Sequence, residues 1–310
     1  MSRRRKPGAK SLDVIQRLQQ RVSEGEFYEA LQLYKTSYSR LKAQMKLDDA
    51  EELLTAGAIA MSRENELNAA TELGLLVVTS FEENSREVDE VRLSQLKRIA
   101  LAMTPGVEMS AFLKRAIRWT RRSKNAAAYE LRLIMAKSAM TTGNLAEAAR
   151  YFAVSGCPTE YAALVKKWAT MGYPGERDLF VCRAALHTLS CGRTEDAAVL
   201  FDTCATSMLE EDLASSAGGL SSVQSLLESP LCHFTRFVIE LCQMKQLAGG
   251  APSGEMVAAF GKLRAAYRIS IDRDRNLDEL LDRIGDVHLG IKRPQAGGLM
   301  GMLGELIGGL

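Results

Sequence analysis

Gly25-Glu-Phe-Tyr-Glu-Ala30, Asn65-Glu-Leu-Asn-Ala-Ala70, Gly143-Asn-Leu-Ala-Glu-Ala148 and Gly192-Arg-Thr-Glu-Asp-Ala197 are four versions of one turn. Each opens on Gly or Asn, which take a left-handed backbone most readily, and ends on a small Ala that lets the new helix pack closely on its predecessor. Pro105-Gly106 falls between the second and the third. Successive turns then lie about 40 residues apart, the period of helix-hairpin arrays such as TPR or HEAT.

Between the turns, apolar residues recur at three- and four-residue steps, as in Leu12, Ile15, Leu18 and Val22 or Leu93, Leu96, Ile99, Ala100 and Met103. That is the one-sided stripe of an amphipathic helix, and no sustained alternation of period two competes with it. The spacing predicts helices over about 10–23, 26–44, 47–62, 66–81, 88–103, 108–122, 126–141, 145–154, 158–171, 175–190, 194–208, 229–247, 254–267 and 275–289. All seven prolines fall between these segments or at their ends, where a missing N–H costs least. The expected fold is all-α, an α-solenoid of stacked antiparallel helix hairpins, with room for one small β-hairpin insert in the C-terminal half. Glu210–Ser229, with Ser215-Ser-Ala-Gly-Gly219 inside it, is expected to be a long loop or insert. The expected organisation is a disordered basic tail over 1–10, solenoid halves over 11–155 and 156–290, and a Gly-rich apolar tail over 291–310. In that tail Leu299, Met302, Leu303, Leu306 and Leu310 would share one helical face. It is shorter than the ~20 residues of a membrane span, so docking on its own chain or on a partner is expected instead.

Composition narrows the function classes. The 310 residues carry 40 Lys+Arg and 38 Asp+Glu, a net charge of +2, with 46% hydrophobic residues. This is the usage of a globular chain, without the strong basic excess that draws a protein to nucleic acid or anionic lipid. The N-terminus lacks the apolar stretch of a secretory signal, so a cytosolic location is expected and the six cysteines are read as reduced thiols. Three histidines restrict acid-base and metal chemistry. Cys182, His187 and Cys191 stand five and four residues apart, which does not bring all three to one helix face, and no Cys-x-x-Cys supports a zinc site. Phosphate loops, nucleophile elbows and zincin helices are missing. Glu51-Glu52, Glu82-Glu83 and Glu210-Glu211-Asp212 read as solvated surface. No enzyme activity and no cofactor are expected. Two basic clusters, Arg3-Arg-Arg-Lys6 and Arg118–Lys124, keep open a helical-repeat scaffold that touches nucleic acid, which a steep salt dependence would reveal.

A family resemblance rests on an ordered set of segments. Ser23-Glu-Gly-Glu-Phe-Tyr-Glu-Ala30, Gln32, Tyr34-Lys-Thr36 and Ala50-Glu-Glu-Leu-Leu-Thr-Ala-Gly-Ala58 resemble the opening hairpins of one family. Gly172-Tyr-Pro-Gly-Glu-Arg-Asp-Leu-Phe-Val181, Ser229 through Phe237, Tyr267, Asp278-Glu-Leu-Leu-Asp-Arg-Ile-Gly285, Gly290 and the Gly-Gly-Leu end are similar to its distal part. The family is the scaffold subunit of the guided entry of tail-anchored proteins, the Golgi-to-ER traffic or transmembrane recognition complex. The resemblance implies a helical adaptor whose N-terminal half binds a targeting ATPase. Its C-terminal half would bind a subunit with a ubiquitin-like domain or, in animals, a larger chaperone scaffold. No membrane insertion and no nucleic acid are implied. Leu31 stands where the family usually carries His.

The candidate ATPase contacts are Tyr28, Gln32, Lys35 and Arg40 on the second helix, the first three sharing a face that Phe27 and Leu31 do not, with Glu72 on the fourth. The candidate contacts for the second partner, placed within about 210–290, are Phe234, Phe237, Val238 and Leu241. Packing inside the chain would explain that apolar stripe equally well.

Overall fold

The computed structural model describes residues 9–121, 128–216 and 228–292. Among them the chain forms fifteen α-helices and no strand. The first eight are α1 (Ala9–Ser23), α2 (Phe27–Ala43), α3 (Leu47–Arg63), α4 (Leu67–Glu83), α5 (Glu90–Ala102), α6 (Val107–Thr120), α7 (Ala128–Thr141) and α8 (Leu145–Phe152). The others are α9 (Pro158–Ala169), α10 (Arg177–Ser190), α11 (Thr194–Ser216), α12 (Pro230–Ala248), α13 (Gly254–Ala266), α14 (Arg268–Ile271) and α15 (Asn276–Leu289). The class is all-α, and the chain divides into two units, Met1–Gly156 and Cys157–Leu310.

In the first unit α2, α3 and α4 are each 17 residues long. The turns after α1 to α4 place Gly25, Met45, Asn65 and Ser85 at φ 84°, 58°, 61° and 49°. After each, the next N–H donates five residues back: Glu26 to Arg21, Lys46 to Leu41, Glu66 to Met61 and Arg86 to Phe81, at 2.9–3.0 Å. One left-handed residue plus this bond satisfies the carbonyls that a helix end leaves open. Gly143 and Gly192 repeat the device, with Asn144 bonded to Ala139 and Arg193 to Thr188. The alanines that close these turns, Ala30, Ala50, Ala70, Ala148 and Ala197, are all fully buried. The four sequence motifs are therefore real helix ends. Met45 and Ser85 supply two more that a search for Gly or Asn passes over.

Stacking shows in the charges. Lys35 pairs with Glu72 and Lys42 with Glu83 (α2 to α4), Arg98 with Glu52 (α5 to α3), Arg115 with Glu82 (α6 to α4), Lys97 with Glu130 (α5 to α7) and Lys114 with Glu147 (α6 to α8). Each pair joins a helix to the next but one, the equivalent helix of the adjoining hairpin. At about 0–1 kcal/mol apiece such pairs fix register more than stability. The apolar core does the larger work. Phe81 is fully buried with its ring 4.9 Å from that of Trp119. Gly57 on α3 lets Tyr34 of α2 lie so close that a Cβ there would come within 2.8 Å of the ring.

One surface expectation fails here. Glu51 is buried, not solvated, and accepts hydrogen bonds from Arg86 Nε at 3.0 Å and Ser80 Oγ at 3.3 Å. Its burial pushes the carboxyl pKa up, against the pull of Arg86. The helix stripe from Ala50 to Ala58 is broad enough to carry Glu51 inward, and Arg86 reaches across from the turn after α4 to meet it.

The second unit is built around α10, which packs on α9, α11, α12 and α15. Asp178, in its first turn, is buried and accepts from Ser229 Oγ at 2.6 Å and from Arg273 Nη1 at 2.5 Å and Nη2 at 3.0 Å. Arg183 bonds Asp274 at 2.7 Å, from the same α10 to the same distant turn. At the other end of α10 the Leu189 carbonyl accepts from His288 Nε2–H on α15 at 2.8 Å. Two elements differ from expectation. α11 continues to Ser216 in place of the loop expected from Glu210, because helix formers persist until Gly218. The short α14 is an added element. Residues 217–227, where a β-hairpin insert would fall, lie outside the described residues.

Candidate functional site

Two surfaces stand out, one in each unit. On α2 the inward faces of Ala30, Tyr34 and Tyr38 are buried, while Phe27 and Leu31 rest half-buried against the core. This leaves Tyr28, Gln32 and Lys35 as an outward stripe, with Tyr28 70% exposed at its head. A protruding Tyr offers a large apolar ring and a hydroxyl at little entropic cost. Lys35 forms its ion pair with Glu72 on α4. Both line a groove of about 340 Å³ between the two helices, floored by Leu75, Leu76 and Thr79 and flanked by Tyr38 and Ser39. The structure thus brings together Lys35 and Glu72 and keeps Tyr28 and Gln32 on the same face. Arg40 is exposed but stands about 80° round the helix from Gln32, off the stripe. Sequence reasoning missed Leu75, Leu76 and Thr79. Their three- and four-residue spacing with Glu72 is the signal that could have found them.

The α12 stripe divides. Phe234 and Val238 are fully buried within their own unit, the Phe234 ring 5.6 Å from that of Tyr267. They are core residues, because an apolar helix face is first used by its own chain. Phe237 is 44% exposed with its ring 6.5 Å from that of Tyr267, and Leu241 is half-buried. Met244, one turn further on, is exposed. The accessible stripe is therefore Phe237, Leu241 and Met244.

Four of the six cysteines are buried. Cys182 and Cys232 are both buried with their sulfurs 3.6 Å apart between α10 and α12. Burial raises the Cys182 pKa and pushes Cys204 and Cys242 up to about 12, which makes these thiols poor nucleophiles. Among the described residues no group of three or more His, Cys, Asp or Glu side chains could hold a metal ion. Arg118 and Arg121 are exposed, whereas Arg122, Lys124 and the N-terminal basic run lie outside the described residues. No helix among the described residues is long and apolar enough to cross a membrane.

Comparison with known proteins gives one consistent result. The family model described as Golgi to ER traffic protein 4 matches residues 44–307. A Golgi to ER traffic protein 4 homolog of Oryzias latipes is 30% identical over 300 residues, 95% of this chain and 86% of its own length. That of Bos taurus is 29% identical over 310 residues, 98% and 89% of the two chains, and that of Homo sapiens 28% over 294 residues, 94% and 84%. The crystal structure of C. therm. Get4 shares the fold, with a TM-score of 0.76 at 22% identity over 97% of this chain and 96% of the other. The family model begins after the α2 stripe, so Tyr28, Gln32, Lys35 and Arg40 fall outside its match while Glu72 falls inside it.

Proposed function

The chain belongs to the Golgi to ER traffic protein 4 family, and from that premise we propose that it is a non-enzymatic cytosolic adaptor for post-translational delivery of tail-anchored membrane proteins to the ER. It links a client-loading complex, through a subunit with a ubiquitin-like domain, to the targeting ATPase. The first unit takes the ATPase and the second takes the ubiquitin-like subunit or a larger chaperone scaffold. The observation that carries this reading is the α2 stripe: Tyr28, 70% exposed, leads into the groove where Lys35 and Glu72 meet. An exposed aromatic beside a charged rim is what a protein-binding hot spot requires. In the second unit the contact surface is Phe237, Leu241 and Met244, with Phe234 and Val238 shaping it from beneath.

The test uses the purified ATPase. Tyr28→Ala with Lys35→Glu should weaken its binding about tenfold or more, with the helical circular dichroism unchanged. The charge swap Lys35→Glu with Glu72→Lys restores the ion pair inside the chain. If that swap restores binding as well, the pair merely braces α2 on α4 and the contact lies elsewhere. Phe237→Ser should loosen the ubiquitin-like subunit and leave the ATPase bound.

A further inference from the structure

The second unit holds a second apolar concavity that the adaptor reading leaves unused. It lies between α13 and α15, about 350 Å³, lined by Val257, Phe260 and Gly261 on one side and Leu281 and Gly285 on the other. Gly261 makes one wall low: a Cβ built there meets nothing within 4 Å. Arg264 closes one end through its bonds to Asp278 at 3.0 Å and Asp282 at 2.7 Å.

The chain's own exit runs into this groove. α15 ends at Gly290 in a left-handed conformation, φ 64°. Ile291 then folds back, its N–H bonded to the Gly285 carbonyl at 3.0 Å, with its side chain over Gly285. Ile291 and Lys292 are themselves part of the lining. Beyond them the chain continues through Pro294, Gly297 and Gly298 to Leu299, Leu303, Leu306 and Leu310, the leucines at steps of four, three and four. The seven residues from Lys292 to Leu299 reach up to about 24 Å. α13, with 13 residues, is about 20 Å long, so the first tail leucine can reach any point along the groove. A tether this short gives an effective concentration in the millimolar range. An apolar contact too weak to hold between separate molecules is then filled within one.

We propose that residues 299–310 of this chain occupy the α13/α15 groove, seating their leucine stripe on the half-buried Val257 and Ile291 beside the open Gly261, above the buried Phe260 and Leu281. The tail thereby covers apolar surface of the second unit. This holds whether or not the α12 stripe takes a partner, since the groove and the stripe share no residue.

The experiment places a nitroxide on Glu305→Cys, off the leucine stripe, in full-length protein whose half-buried Cys157 and exposed Cys191 are replaced by Ser. Methyl NMR should show the Val257, Leu281 and Ile291 signals falling to less than half their intensity with the reduced label. Gly261→Leu fills the groove from open space and favours the helix, so it should fold and should restore those signals. Leu303→Ser with Leu306→Ser should restore them too, without touching the folded unit. Unbroadened Val257 and Leu281 signals, or broadening that Gly261→Leu leaves in place, would overturn the proposal. So would broadening carried between molecules in a mixture of spin-labelled and isotope-labelled chains, which would make the occupant a second copy.

Discussion

The first unit repeats and the second converges. From α1 to α8 the packing runs between sequence neighbours, as α3 on α4 and α7 on α8, and between a helix and the next but one, as α4 on α6, so most turns and ion pairs are variations on the one before. In the second unit α10 is tied to the turn before α15, through Asp178 and Arg273, and to the end of α15, through Leu189 and His288, more than ninety residues away. Repetition spreads stability over many similar interfaces. Convergence concentrates it in a few polar bonds whose loss is felt at once.

Two truncations set these modes against each other. Phe81→Ala removes a fully buried ring from the stack on Trp119 and should cost about 4 kcal/mol. Hydrogen exchange should quicken in α4 and α6 first and fade with distance along the hairpins. Asp178→Ala strands Arg273 and Ser229 and should cost about 2 kcal/mol, below the roughly 3–5 kcal/mol of a fully buried pair because the Arg273 side chain is 37% exposed and water can reach it. Exchange should then quicken together in the N-terminal turn of α10, the start of α12 and the turn before α15. If instead the Phe81 change spreads at once through all of α1 to α8, the first unit is as cooperative as the second and the contrast fails.

The same contrast governs how much the amino-acid sequence reveals. Where neighbours in sequence are neighbours in space, turn residues and three-four spacing suffice: the Gly and Asn turns, their closing alanines and nearly every helix of the first unit are legible. Met45 and Ser85 are not, because nothing in Met or Ser marks a left-handed residue. In the second unit most helices are legible, the end of α11 and the short α14 excepted, but their joints are not. No pattern links Asp178 to Arg273, and Phe234 looks as available as Phe237 until the packing of the unit buries the first and leaves the second 44% exposed. At the α2 stripe the helical spacing of Tyr28, Gln32 and Lys35 is enough to define the face, while the Lys35–Glu72 meeting depends on how α4 stacks.

His288 offers a pH test of the convergent side. Its burial leaves little water to solvate a charged ring, and its pKa is lowered below the usual histidine value, against the pull of its bond to the Leu189 carbonyl. In the unfolded chain it titrates near pH 6.5. Below that pH the unfolded state takes up a proton that the folded state refuses, so stability falls as pH falls, by up to about 1.4 kcal/mol per unit for one group. Above pH 6.5 the effect vanishes. Urea midpoints measured from pH 7.5 to 5 should show this slope, and His288→Gln should flatten its share. An unchanged slope would mean that the joint between α10 and α15 does not hold the ring neutral.

The smallest expected effect has the most informative sign. Met45 is 80% exposed at φ 58°, so its side chain contributes little packing while its backbone sits where an L residue is strained by about 1 kcal/mol. Glycine relieves that strain but gains freedom in the unfolded chain, which returns part of the benefit. Met45→Gly should therefore stabilise by about 0.5 kcal/mol. Gly25→Ala, with its φ of 84°, should destabilise by about 1 kcal/mol. Asn65→Gly should change little, because Asn tolerates the left-handed region. Had the chain at Met45 continued as helix, the same glycine would destabilise by nearly 1 kcal/mol. Urea midpoints of the three variants thus give an ordered series, and a Met45→Gly value on the destabilised side would remove Met45 from the set of repeated helix ends and break the twenty-residue register of the first unit.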